Sequence, residues 1–183
     1  MIVGLAGFAG VGKDFVADYL VEEHGFTKRA FAETIREGLL AVNPMIDVEG
    51  HQVSLSHALE FFSWDELKEQ SAQIRPLLQR FGTEFGRTML GQDVWVDAAM
   101  AQIIPTDRIV FSDVRFPNEC QAIRNFGGVV WRIHRPGVGP INKHISEVAL
   151  EEMDFDDELN NDETLEWQIN HAIRQTSPLR LVK

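Results

Sequence analysis

The hydrophobic positions of this chain alternate between two patterns. Ile2–Ala6 (IVGLA) is a short, unbroken apolar run, as expected of a buried strand, and it leads directly into a glycine-rich turn. From Lys13 onward Phe15, Val16, Tyr19 and Leu20 recur at helical spacing, so strand, turn and helix follow in order. Lys28–Ala32 (KRAFA) reads as a second strand edge and AETIREGLLAV after it as a helix, whereas Asn43–Ser56, with Pro44 and Gly50, reads as a loop. Helical patterns follow over Leu55–Gln73 and Ile74–Met89, with Pro76 in a first turn that accepts it, and DVWVDAAMAQII stays helical up to Pro105. RIVFSDVRF is a strand ending in polar residues, PNECQAIRNF a helix closed by Gly127 and Gly128, and VVWRIHR another strand. Pro136, Gly137, Gly139 and Pro140 punctuate a loop suited to a lid, FDDELNN is a last short strand, and DETLEWQINHAI is an amphipathic helix with Leu165, Ile169 and Ile173 on one face. The alternation predicts a single three-layer α/β domain over residues 1–183, with a parallel sheet of about five strands and helices on both faces.

Composition narrows the function classes. At 183 residues, 44% hydrophobic and 25% charged, the chain can bury a real core. A net charge of -11 argues against coating nucleic acid but leaves room for a small anion held by a local group of arginines. The single cysteine, Cys120, cannot form an internal disulfide and is expected in a core, which points to a reducing, cytoplasmic setting. The first apolar run is short, interrupted by glycine and without a basic leader, so no signal peptide is expected. No stretch nears the roughly 18 apolar residues of a membrane helix. Whether the chain forms a homodimer is left open.

The turn after the first strand carries the chemistry. Gly7, Gly10, Gly12 and Lys13 fit G-x-x-x-x-G-K, a loop whose backbone N–H groups and following helix end cradle phosphates while the lysine reaches the outer ones. The next residue is normally Ser or Thr; here it is Asp14. A dinucleotide-binding turn is the nearest rival, but G-x-x-G-x-G is not its usual spacing and leaves Lys13 unexplained. A guanine-specific switch protein would need N-K-x-D, and NKHI at Asn142 lacks the aspartate.

Several stretches, taken in order, resemble the deoxynucleoside monophosphate kinases of bacteriophages, a branch of the nucleoside monophosphate kinase fold: GKD (12–14), LLQRFGTE (77–84), SDVRFPNE (112–119), RPG (135–137), HISE (144–147) and NND (160–162). The resemblance spans nearly the whole chain. It implies transfer of the ATP γ-phosphoryl group to a deoxynucleoside monophosphate with Mg²⁺, and an acceptor-binding helical region at about 33–105 with a lid at about 135–147. Lysine followed by aspartate is similar to that family's loop, and a carboxylate there can hold Mg²⁺ in place of a hydroxyl. Phe15 departs from it, standing where relatives carry a threonine.

Site residues follow from the motifs and the resemblance. Gly7, Ala9, Gly10, Val11, Gly12, Lys13, Asp14 and Phe15 are expected around the donor phosphates, with Arg132, Asn160 and Asn161 as further ATP contacts. Asp113 is either a second metal ligand at the end of a strand, as in a Walker B motif, or a helix cap or partner of Arg115. Arg115 and Arg135 would stabilise the transferred group. For the acceptor, the resemblance points to Gln79, Phe81, Gly82, Thr83 and Arg87, with Phe31, Ala32, Arg36, Arg75, Trp95, Arg115, Asn118, Glu119 and His144 around them. Phe81 reads equally as a core aromatic and Trp95 more readily as one, while Arg36 and Arg75 read also as solvated helix charges and Asn160–Asn161 as a plain turn. Another small-molecule P-loop kinase, such as one for dephospho-coenzyme A, or a nucleotide-binding module without turnover, are the competing functions.

Overall fold

The computed structural model describes residues 1–104, 106–139, 150 and 153–176, and in it the chain divides into two compact units, Met1–Phe31 with Gln102–Lys183, and Ala32–Ala101. The first is built on a five-stranded parallel sheet of β1 (Ile2–Ala6), β2 (Thr27–Arg29), β5 (Ile109–Val114), β6 (Val129–His134) and β7 (Asp157–Asn160), in the order β2-β5-β1-β6-β7. Val3 aligns with both Val110 and Val129, which sets the apolar run predicted at the N-terminus in the middle of the sheet.

Alternation along β1 explains the layers. Val3 and Leu5 face α1 (Lys13–His24) and the last helix, here α8 (Leu165–Thr176), in a core with Val16, Leu20, Trp131, Ile169 and Ile173. Gly4 faces the other way, toward α7 (Pro117–Asn125). A Cβ at Gly4 would lie 2.6 Å from Ile123 Cδ1, so the small residue is what lets α7 pack close. Helix α1 ends in a Schellman arrangement: Gly25 at φ 66° donates its N–H to Val21 O, and Phe26 N donates to Leu20 O, turning the chain into β2. The three-layer α/β architecture expected from the alternation is the observed one.

The second unit contains most of α2 (Phe31–Val42), then β3 (Met45–Val48), β4 (His51–Ser54), α3 (Leu55–Ala58), α4 (Trp64–Gln70), α5 (Ile74–Arg80), a π-helical segment Phe81–Leu90 and α6 (Val94–Met100). It has its own core of Leu39, Ile46, Leu55, Ala58, Leu67 and Ile74. Two sequence expectations are corrected here. Asn43–Ser56 is not a loop but an antiparallel hairpin, Val48 pairing with His51 around a Glu49–Gly50 turn in which both residues have positive φ (52° and 85°). The helical pattern over 55–73 breaks after Ala58 and restarts at Ser63, whose hydroxyl accepts from Glu66 N while Glu66 Oε2 accepts from Ser63 N.

Candidate phosphate-binding site

Parallel strands deliver their functional residues to one end of the sheet, and in the first unit the carboxyl ends of β1, β5, β6 and β7 hold the glycine loop, Asp113 and Arg115, Arg135, and Asn160–Asn161 respectively. The loop requires its glycines. Gly7, Gly10 and Gly12 have φ of 141°, 80° and 99°, and a Cβ on Gly7 would press to 2.6 Å from Ile133 O. Gly12 starts α1 and carries no side chain that caps it, so the first-turn N–H groups of that helix, which lack intrahelical acceptors, receive nothing from their own N-cap residue, the arrangement in which a helix start can accept an anion.

Lys13 lies across this loop, its Nζ donating to Gly7 O (2.7 Å) and Phe8 O (2.9 Å). Burial lowers its pKa and the nearby Arg115 guanidinium lowers it further, while Asp14 and Asp113 pull the other way. Lys13, Arg115, Asp14 and Asp113 thus form one charge cluster. Asp113 Oδ1 accepts from Phe31 N (2.8 Å), holding the last residue of this unit's first segment at the end of β5. Asp14 is largely exposed and pairs with Lys28 Nζ at 2.9 Å, which also contacts Asp18 Oδ1 at 2.9 Å. Desolvation works against the Lys28 charge, but its hydrogen bonds to the two carboxylates outweigh it and raise the pKa. Lys28 carried no sequence signal. Its countercharge explains how a carboxylate is tolerated beside a phosphate loop. The two aspartates fit the modest demand of a Mg²⁺ ion bound chiefly through phosphate oxygens and water.

Other predicted residues occupy definite places. Phe31 is buried and stacks on Phe111, ring centroids 4.3 Å apart. Glu119 is buried too, its Oε2 accepting from Arg115 N (2.7 Å) and Phe116 N (3.0 Å), so the carboxylate holds the bend that carries Arg115; Asn118 Oδ1 accepts from Glu119 N at 3.1 Å. The Arg132 guanidinium sits 5.3 Å from the Phe155 ring centroid, and Arg135 is exposed at the start of a turn closed by Val138 N to Arg135 O. Asn161 donates from Nδ2 to Val11 O (2.8 Å), and Asn160 exchanges two bonds with the Gln168 side chain. Ala9 and Phe15 are exposed and Val11 is buried. Cys120 is buried, as expected of a core thiol, and desolvation first of all pushes its pKa up to about 11. His144 and most of the expected lid lie outside the described residues.

In the second unit, Phe81 stacks on Phe85 (5.0 Å) and tilts against Trp95 (5.6 Å), and Trp95 Nε1 donates to Gly82 O at 2.8 Å. Trp95 is 8% exposed and a Cβ at Gly86 would overlap its ring, so glycine is required under it. The Arg36 guanidinium lies 5.9 Å from the Trp64 centroid; Arg75 pairs with Glu69. Asp65 is held low mainly by Lys68, with smaller contributions from the Arg36 and Arg75 charges. Gln79 and Thr83 are exposed, Arg87 is half-buried, and Ala32 lies in the first turn of α2. Among the described residues no helix is long and apolar enough to cross a membrane.

Comparison with known proteins adds to this geometry. The family model described as deoxynucleotide monophosphate kinase matches residues 44–171. A protein of Acanthamoeba polyphaga mimivirus provisionally named deoxynucleotide monophosphate kinase is 28% identical over 181 residues, covering 91% of each chain. An uncharacterized protein of Ictalurid herpesvirus 1 (strain Auburn) is 28% identical over 171 residues, 89% of this chain and 64% of that protein. Among solved structures, shikimate kinase from Aquifex aeolicus is similar at 12% identity over 99% of both chains, with a TM-score of 0.49.

Proposed function

The chain belongs to the deoxynucleotide monophosphate kinase family, a group of phosphotransferases, and on that premise we propose that it transfers the γ-phosphoryl group of ATP to a deoxynucleoside monophosphate, giving ADP and the deoxynucleoside diphosphate. An acceptor phosphate oxygen attacks the γ-phosphorus as the bond to the β–γ bridging oxygen breaks, so no covalent enzyme intermediate is needed. The observation that carries this reading is the glycine loop at the end of the central strand, with Lys13 lying across it inside a charge cluster with Arg115 and two aspartates.

In this reading the loop amides and Lys13 bind and orient the donor phosphates, and Arg115 with Arg135 offsets the charge that spreads over the equatorial oxygens. Asp14 and Asp113 would hold Mg²⁺, which when bound neutralises phosphate charge. Arg36 and Arg75 grip the acceptor phosphate, Phe81 and Trp95 wall its base, and Gln79, Thr83 and Arg87 supply polar contacts. A viral enzyme of this kind serves DNA precursor synthesis in the cytoplasm of the host.

The test is a panel of deoxynucleoside and nucleoside monophosphates with Mg-ATP, scored for diphosphate product, beside a Lys13→Ala control expected to lose ~10²–10³ or more in rate. Release of ADP that no nucleotide acceptor stimulates would overturn the proposal.

A further inference from the structure

We infer that Asn161 is a positioning residue for the donor triphosphate, acting through the backbone of the phosphate loop rather than by touching the adenine. The inference rests on the reading that this loop binds the donor. Asn161 is the first residue after β7 and is held from three sides. Its own N–H donates to His134 O at 2.6 Å. Asn160 before it has its N–H bound by Gln168 Oε1 (2.9 Å) and its carbonyl by Gln168 Nε2 (3.1 Å). Asp162 after it accepts from Thr164 N (2.8 Å) and Thr164 Oγ1 (2.6 Å), closing the turn into α8. From this anchored position the Asn161 side chain reaches across to Val11 O at 2.8 Å, and its amide lies so close over Gly12 that a Cβ there would overlap it.

One peptide unit is fixed by this contact. A trans peptide is planar, with its C=O and N–H pointing in opposite directions. Drawing Val11 O toward Asn161 therefore turns Gly12 N–H away from β7, and leaves it to face an anion in the loop. Gly12, at φ 99°, can take either sign of φ without steric cost, so nothing in its own chemistry stops that peptide from turning over. Turned over, it would present a carbonyl to the phosphates in place of a donor. Asn161 supplies the restraint that the two glycines flanking Val11 cannot.

The experiment is isothermal titration of the full chain with inorganic tripolyphosphate and, separately, with adenosine, for the native sequence, Asn161→Ala and Asn161→Asp. The aspartate variant keeps the volume, loses the donor and takes over if the alanine variant does not fold. Tripolyphosphate affinity is expected to fall at least tenfold in either variant while adenosine affinity stays within twofold. Equal losses for both ligands would assign Asn161 to general support or to the adenine and overturn the inference, as would no loss for either. A native chain that binds no tripolyphosphate would overturn both this inference and the donor-loop reading, whereas variants that bind like the native chain would overturn this one alone.

Discussion

Replacing Glu119 separates a clamp from a ligand. Its buried Oε2 accepts from Arg115 N and Phe116 N at 2.7 and 3.0 Å, at the first turn of α7. Hydrogen bonds to a charged group contribute about 1.5–3 kcal/mol each, and a carboxylate in a first helical turn about 0.3–1 kcal/mol more. Arg115 is exposed, so its released N–H can recover water, which puts Glu119→Ala at a cost of about 3–4 kcal/mol rather than the full sum. For a chain of this length that lowers the melting temperature by about 6–16 °C. Glu119→Gln keeps an acceptor oxygen without its charge, and about 1–2 kcal/mol is expected. Urea and thermal unfolding measure the stability, and a coupled ADP-release assay measures turnover. Because the clamped bend carries Arg115, turnover should fall by ~10-fold or more with little change in acceptor KM, since small misplacements of charge-stabilising groups are costly. A Glu119→Ala protein that melts like the native one but binds acceptor weakly would refute the clamp.

Three further outcomes follow from the site and its supports. Burial, and after it Arg115, lower the Lys13 pKa, so the charge proposed to bind phosphate is present at low pH and is lost, as pH rises, earlier than that of a free lysine at 10.5; tripolyphosphate affinity should decline over that earlier range, and Lys13→Arg should move the decline to higher pH. Asp14→Ala should raise the Mg²⁺ concentration needed for half-maximal rate, and an unchanged requirement would remove Asp14 from the metal's surroundings, leaving its pairing with Lys28 as its role. Gly86→Ala pushes the Trp95 ring off Gly82 O, combining overpacking of about 1–3 kcal/mol with a lost hydrogen bond of about 1 kcal/mol; chemical denaturation should show a loss of about 2–4 kcal/mol, and a native-like midpoint would contradict the packing.

Much of the first unit was legible because its signals are local. An apolar run, a glycine turn and a 3.6-residue repeat identify β1, the loop and α1 without reference to anything distant. The hairpin of the second unit escaped because its turn is Glu49–Gly50 rather than Asn-Gly or Asp-Gly, and a glutamate at φ 52° is an unusual choice for a position that favours Asn, Asp or Gly. Asp47 Oδ1, accepting from Gly50 N, supports that turn and gives no cue in the sequence. The π-helical pitch of Phe81–Leu90 was hidden by Gly82 and Gly86, which have no side chains to mark a face. The partners of the site residues were the least visible part. Lys28 beside Asp14, Phe31 N on Asp113 and Asn161 on Val11 are set by strand order, and the last of these joins residues 150 positions apart.

Residues Ala32–Ala101 leave the sheet-bearing unit after Phe31 and return at Gln102 as one uninterrupted stretch with a separate core. That stretch can therefore be exchanged as a cassette, at two junctions, without cutting any strand of the parallel sheet. On the function proposed above, a chimera spliced at those junctions keeps its glycine loop and takes its acceptor contacts from the source of the cassette, and so is the natural route to a changed base preference.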